Sequence, residues 1–255
     1  FDNMTKTVDL VAEDLCNEFS KSDFVPVGFE YRIGLKDCDI PAVRYEYNGK
    51  PVLMRGSIDR VDVAEIDGVK YARVVDYKSY NKELNLDLVR EHGIDTQMLH
   101  YLFAYCNKTN SVPVGALYHI VTLPNVQIKG DESPETIKKE LEKALTRNGI
   151  LLNDESILYA MSPDLSYIPV KFVKTYNSLQ YKGLCDSEQF KQLEQELKSQ
   201  VENLAADVFC GKMDVAPKDI EGADSACKYC PLGELCRSKN KKEDDGDEAT
   251  NTTTD

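Results

Sequence analysis

Two aspartates and a lysine stand where one fold would bring them together. Asp59 lies in Gly56-Ser57-Ile58-Asp59-Arg60-Val61-Asp62, and Asp76 and Lys78 lie in Val74-Val75-Asp76-Tyr77-Lys78-Ser79. Between them, two runs rich in β-branched residues flank Asp67-Gly68, a dipeptide suited to a two-residue type I′ turn, so the segment reads as an antiparallel hairpin. Pairing Ile66 with Val69 and counting outward sets Asp59 directly opposite Asp76. Side chains two apart share a strand face, so Lys78 points the same way. Like charges on facing positions repel. A cation between them resolves the conflict, and a hard divalent ion such as Mg²⁺ or Mn²⁺ takes carboxylates, waters and phosphate as oxygen ligands. The same three residues also suit a simpler reading, as solvated charges on an edge hairpin.

The elements that must hold this hairpin follow from periodicity. Further along the Asp59 face, Val61, Val63, Ala72 and Val74 form an apolar surface expected to be buried, while on the other face Asp62 meets Arg73 as an ordinary ion pair of little worth. Met4 to Phe19 reads as a helix that packs on a sheet through Val8, Ala12, Leu15 and Phe19. Phe24 to Gly34 reads as a strand carrying Glu30, a carboxylate near the hairpin or simply on the surface. Arg44 to Tyr47 and Pro51 to Arg55 form a second hairpin through Asn48-Gly49.

After Ser79 comes a polar stretch with Lys82 and Arg90, then a helix from about Asp95 to Asn107 on which Gln97 and Tyr101 share a face beside His100. Val112 to Leu123 reads as a strand buried on both sides. Pro134 opens a helix with Ile137, Leu141 and Leu145 inward and Gly149 near its stop. A long helix from Ser187 to Phe209 carries an apolar stripe of Phe190, Leu193, Leu197, Val201, Leu204 and Val208. Strands and helices alternating around one sheet define an α/β architecture.

A second constellation lies near the end. In Cys227-x-x-Cys230-x5-Cys236, two thiolates three apart chelate one centre while the third closes over it; sulfur ligands select zinc or an iron-sulfur cluster, and both usually want four. Cys16, Cys38, Cys106 and Cys185, scattered among apolar neighbours, read as small buried residues.

Composition bounds the rest. With 255 residues and 42% apolar content, the chain suits a globular body with a sizeable core. No apolar run approaches the roughly 20 residues that cross a bilayer, and no secretory signal heads the chain, so a cytoplasmic protein is expected. Phe1 reads as the start of a piece of something longer. The net charge of -13 is unusual for a module that grips nucleic acid, which implies that a larger assembly supplies most of the binding. No Gly-x-x-x-x-Gly-Lys-Ser/Thr loop is present, so any ATP-driven step lies elsewhere. The expected organisation is a core over 1-209, a cysteine segment over 210-238, and a disordered acidic tail over 239-255.

The Gly-x-x-Asp-Arg-x-Asp motif, Val74-Val75-Asp76-Tyr77-Lys78-Ser79, and Gln97-Met98-Leu99-His100-Tyr101-Leu102 together resemble the RecB-type branch of the PD-(D/E)xK nuclease superfamily. The stretch from Gly149 to Met161 and the cysteine cluster are similar to the AddB-type subgroup, the nuclease domains of helicase-nuclease B subunits, so the resemblance covers roughly Phe24 to Cys236.

It implies a restriction-endonuclease-like core and a Mg²⁺- or Mn²⁺-dependent exodeoxyribonuclease. Asp59, Asp76 and the Tyr77 carbonyl would be metal ligands, Lys78 would orient or deprotonate the attacking water, and Gln97 and Tyr101 would position the DNA backbone. It also implies a 4Fe-4S cluster held by Cys227, Cys230, Cys236 and an upstream cysteine that this sequence lacks. Neither Cys16 nor Cys210 matches that fourth ligand, and none of His92, His100 and His119 matches the family's metal-binding histidine. The implied substrate is a single DNA strand from an unwound duplex end, cut during double-strand-break repair beside an A-subunit helicase-nuclease partner. The competing expectations are a non-catalytic DNA-end clamp or iron-sulfur scaffold, and a zinc-ribbon regulatory domain.

Overall fold

The computed structural model describes residues 2–122 and 133–212, together with Ile220, Cys227, Lys228, Cys230, Pro231, Leu232, Leu235 and Cys236. The acidic tail expected over 239-255 lies outside the described residues, as does Leu123 at the end of one expected strand. The chain divides into two compact units, 1–202 and 203–255.

In chain order, helix α1 (Asp2–Lys21) leads into β1 (Val25–Ile33), the hairpin β2 (Val43–Tyr47) and β3 (Lys50–Met54), and the hairpin β4 (Gly56–Ile66) and β5 (Val69–Lys78). Helices α2 (Leu86–His92) and α3 (Gln97–Thr109) precede β6 (Val112–Ile120), α4 (Pro134–Ala144), β7 (Asn148–Leu152) and α5 (Glu155–Met161). Short strands β8 (Lys171–Val173), β9 (Ser178–Gln180) and β10 (Leu184–Cys185) lead to α6 (Ser187–Phe209).

Six strands form one mixed sheet in the order β1-β4-β5-β6-β7-β10. β4 is antiparallel to both β1 and β5, whereas β6 runs parallel to β5. That crossover is made by α2 and α3, with α3 packed against β4, β5 and β6. β6 is buried along nearly its whole length, as its Val, Ala and Leu content requires of a strand covered on both sides. The helices flanking a mixed sheet are the expected α/β class.

Asp67 and Gly68 both take positive φ, 51° and 76°, so the tight turn forms and sets the predicted register from Ile66↔Val69 to Arg60↔Val75. Asn48 and Gly49 turn the β2–β3 hairpin in the same way.

Four expectations need correction. Gly149 does not stop α4, which ends at Ala144; it lies inside β7. Cys16 and Cys38 are exposed, unlike the buried Cys106 and Cys185. On α6, Phe190, Leu193, Leu197 and Ala205 are buried whereas Leu204 and Val208 are 65% and 59% exposed, so the apolar stripe enters the core over only part of its length.

The fourth concerns α1. Its apolar Val8 is exposed, and its most deeply buried residues are Asp14 and Glu18. The reason lies across the interface. Arg60, Asp62 and Arg73 on the sheet and Arg147 before β7 are fully or almost fully buried, and buried charges persist only when paired. Glu18 accepts from Arg73 at 2.8 Å and from Arg147 at 2.7 Å, Arg147 meets Asp14 at 2.6 Å, and Asp62 accepts from Arg73 and Arg60 at 2.9 and 3.0 Å. Three arginines thus meet three carboxylates and the charges cancel. Asp62 and Arg73, expected as an ordinary pair of little worth, are central members of this network.

Candidate active site

The ladder between β4 and β5 stops at Arg60↔Val75, one pair short of the expected facing of Asp59 and Asp76. There the Asp59 side chain takes over: its Oδ2 accepts the Tyr77 backbone N–H at 2.9 Å. The carboxylate is thereby tied to the strand segment that carries Asp76 and Lys78. Lys78 Nζ lies 2.5 Å from Asp76 Oδ2, both half-buried.

Burial raises the Asp76 pKa above the ordinary value; the Lys78 ammonium pulls it back, and the Asp59 charge pushes it up again. Burial lowers the Lys78 pKa, but the hydrogen bond and charge of Asp76 outweigh it, so Lys78 is a firmly held cation. This is not the lowered value a lysine base would want.

This donor set fits a hard divalent cation. It presents carboxylate oxygens, and Asp76 carries an electrostatic load from burial and from Asp59 that a cation would relieve. Among the described residues, no three His, Cys, Asp or Glu side chains gather as a ready-made site. Asp59 and Asp76 are the carboxylates that would hold such an ion.

Glu30 stays outside the set. It is exposed, takes a positive φ of 50°, and accepts from Ser57 Oγ at 3.2 Å. Gln97 donates to the Tyr101 hydroxyl at 2.8 Å, joining the two residues as their spacing on α3 requires. Tyr101 is buried and Gln97 exposed. The Tyr101 phenol occupies the space a Cβ on Gly56 would take, so glycine is needed at the start of β4 to seat this helix beside it. His100 is engaged elsewhere, its Nδ1 3.0 Å from the Tyr45 hydroxyl.

Two residues without an assigned role also belong here. Tyr118 pairs with Asp76 across β5 and β6, and its ring lies 5.8 Å from Lys78 Nζ and 5.3 Å from Lys82 Nζ. Lys82 in turn donates to Asp95 at 2.7 Å. Only the polar character of residues 79–85 signalled this; the pairing depends on the β5–β6 crossover.

Beneath the site, Arg60 Nη1 donates to the Tyr77 hydroxyl at 2.8 Å, linking the buried ionic network to the strand that carries Asp76 and Lys78. His119 also packs its ring on Tyr77, with centroids 5.5 Å apart. Burial lowers the His119 pKa, favouring the neutral ring.

In the second unit, Cys230 N donates to the Cys227 carbonyl at 3.3 Å, a local turn. Cys227 and Cys236 are half-buried and Cys230 is exposed; the three thiols do not gather into a metal-binding group among the described residues.

The six-stranded mixed sheet, flanked by helices and carrying the β4–β5 hairpin in its interior, is the core of a nuclease fold. The chain belongs to the PD-(D/E)XK nuclease superfamily, whose family model matches residues 4–237. It is similar over most of its length to proteins named as the B subunits of ATP-dependent helicase/deoxyribonucleases. It is 31% identical over 244 residues to that of Thermoanaerobacter sp. (strain X514), covering 92% of this chain and 21% of that protein. For Oceanobacillus iheyensis the identity is 32% over 228 residues, covering 85% and 19%. For Clostridium perfringens (strain SM101 / Type A) it is 28% over 254 residues, covering 94% and 21%. The chain spans about a fifth of the length of these curated relatives. No helix among the described residues is long and apolar enough to cross a membrane.

Proposed function

We propose that this chain is the nuclease domain of a helicase-nuclease B subunit, a Mg²⁺- or Mn²⁺-dependent exodeoxyribonuclease. Its substrate is one DNA strand emerging from an unwound duplex end, processed for recombinational repair of double-strand breaks. The observation that carries this reading is the Asp59 carboxylate fastened to the Tyr77 amide, which holds two carboxylates and a lysine at one strand end. Similarity to the helicase/deoxyribonuclease relatives supports the helicase-nuclease context, with unwinding supplied by the rest of the parent protein and an A-subunit partner.

Asp59, Asp76 and the Tyr77 carbonyl would hold the cation. When bound, it supplies Lewis acidity toward a phosphate oxygen and a lowered pKa for a coordinated water. Lys78, a cation beside Asp76, would orient the attacking water and stabilise the negative charge that develops on phosphate oxygens. Release of its bond to Asp76 would free it for proton transfer. Gln97, held by Tyr101, offers its second N–H to a phosphate oxygen of the DNA backbone. Cys227, Cys230 and Cys236 would serve a 4Fe-4S cluster in the parent protein; their spacing supports a sulfur-ligated centre, and the likeness to the helicase/deoxyribonuclease B subunits favours iron-sulfur over zinc.

The test is digestion of single-stranded DNA by this chain with Mg²⁺ or Mn²⁺. Cleavage abolished both by chelator and by Asp76→Asn supports the reading; cleavage that survives Asp76→Asn overturns the site assignment. Binding of DNA ends without any cleavage would instead mark a clamp.

A further inference from the structure

Asp59, Asp76 and Lys78 account for one ammonium group, yet a second stands beside them. Tyr118 neighbours Asp76 in the β5–β6 ladder, and both Lys78 and Lys82 approach its ring within 6 Å. The Lys82 charge also reaches Asp76. Two like charges around one ring repel, and each is held by its own carboxylate, Lys78 by Asp76 and Lys82 by Asp95.

The second pair differs from the first in what its carboxylate can do. Asp95 has a φ of 58°, uncommon outside glycine, and turns the chain just before α3. The Lys82 and Asp95 side chains are 23% and 25% exposed, so the pair is only partly buried and solvent or a phosphate can reach the ammonium group. A phosphodiester oxygen makes the same charge-assisted bond to an ammonium group as a carboxylate does. Lysine suits such an exchange, being a point charge with three donors on a flexible stem. In a chain of net charge -13, a cation at the mouth of the site also offsets repulsion of the polyanion.

We propose that Lys82 binds a backbone phosphate of the single-stranded DNA adjoining the scissile one, and that Asp95 occupies its ammonium group until substrate arrives. This rests on the reading of Asp59, Asp76 and Lys78 as the nuclease site. The Tyr118 ring is the shelf along which the ammonium group moves from Asp95 to phosphate. Lys78 acts at the broken bond, and Lys82 grips the strand beside it.

The experiment compares Lys82→Ala, Lys82→Arg, Asp95→Asn and Lys78→Ala, with oligothymidylate and Mg²⁺ as probes. Binding is measured separately in the Asp76→Asn background, where turnover does not interfere. Lys82→Ala should raise KM roughly tenfold with a much smaller change in kcat, the loss of one charge-assisted contact. Its binding should also lose about 0.7 from the slope of log affinity against log salt, the share of one single-strand phosphate contact. Lys82→Arg should restore both.

Asp95→Asn gives the opposite sign: DNA binds more tightly, because Lys82 no longer has to leave a carboxylate. Unchanged KM and salt slope in Lys82→Ala overturn the proposal. So does Asp95→Asn weakening DNA binding as Lys82→Ala does, since the pair would then be a strut. Wild-type cleavage by Lys78→Ala would sink the nuclease-site reading instead, while the binding measurements still decide whether Lys82 holds a phosphate.

Discussion

Arg60 donates to the hydroxyl of Tyr77 at 2.8 Å, while Asp59, its neighbour on β4, accepts the backbone N–H of the same tyrosine at 2.9 Å. Two consecutive residues of one strand thus clamp a single residue of the next, one by its side chain and one by its main chain. The clamped residue separates Asp76 from Lys78. Arg60 is itself fixed by Asp62, so the position of the site is inherited from the buried ionic network.

Tyr77→Phe removes only the hydroxyl and leaves Arg60 Nη1 without that acceptor. A loss of about 1–3 kcal/mol in stability is expected, because a buried charged donor loses a partner. Weaker Mn²⁺ binding by calorimetry should accompany it, since the strand end is less firmly placed. Wild-type values of both would show that the clamp is unnecessary.

Lys78→Ala should lower kcat for single-stranded DNA by at least about a hundredfold, the range for loss of a positioned proton-transfer group. Asp76→Asn should abolish Mn²⁺ binding as well. The melting temperature of either variant should stay within a few degrees of wild type, as both side chains are partly exposed. Unfolding in circular dichroism would reassign these residues to stability.

Asp76 sets a pH dependence. Its pKa lies above 3.8, the ordinary aspartate value, so this carboxylate takes up a proton at a higher pH than a solvated one. Mn²⁺ affinity should therefore begin to fall with acidification above the usual aspartate range. A titration that stays flat down to that range would remove Asp76 from the metal set.

Glu18 controls acid stability. Burial pushes its pKa upward, but Arg73, Arg147 and Arg60 outweigh that and hold it at about 2, below its ordinary 4.5. A depressed carboxylate contributes stability that is complete above its unfolded pKa. That contribution, on the order of 3 kcal/mol, fades as pH falls from about 4.5 towards 2. Glu18→Gln should cost about 3–5 kcal/mol at neutral pH by leaving buried guanidinium groups uncompensated. It should also flatten the acid limb of the stability curve measured by urea unfolding.

Gly56→Ala places a methyl group where the Tyr101 phenol sits. Overpacking of this kind typically costs about 1–3 kcal/mol. Because the displaced hydroxyl is the partner of Gln97, KM for DNA should rise along with the loss in thermal stability. An alanine tolerated without change in either would mean that α3 shifts freely against β4.

The hairpin was legible because its information is local. Asp67-Gly68 dictates the turn and the turn dictates register, so Asp62↔Arg73 and Arg60↔Val75 could be counted from sequence. The helix at Gln97, the buried strand β6 and the boundaries of α6 were legible for the same reason, each written in its own periodicity.

What local pattern could not carry was the meaning of the charges. Apolar spacing on α1 pointed to Val8 and Ala12, whereas Asp14 and Glu18 are the residues that enter the core. Whether a charge is buried depends on its partners, and these come from α1, the β4–β5 hairpin and the segment before β7, separated by as many as 129 positions. Asp59 and Lys82 teach the same lesson. Sequence alone determined the turn and register of the hairpin that carries Asp59, Asp76 and Lys78, and it marked the nuclease resemblance. Only the tertiary structure decided that Asp59 reaches past its expected partner to the Tyr77 amide and that Lys82 joins the Tyr118 ring. Such contacts depend on where strands part and cross, and no repeat along the chain encodes that.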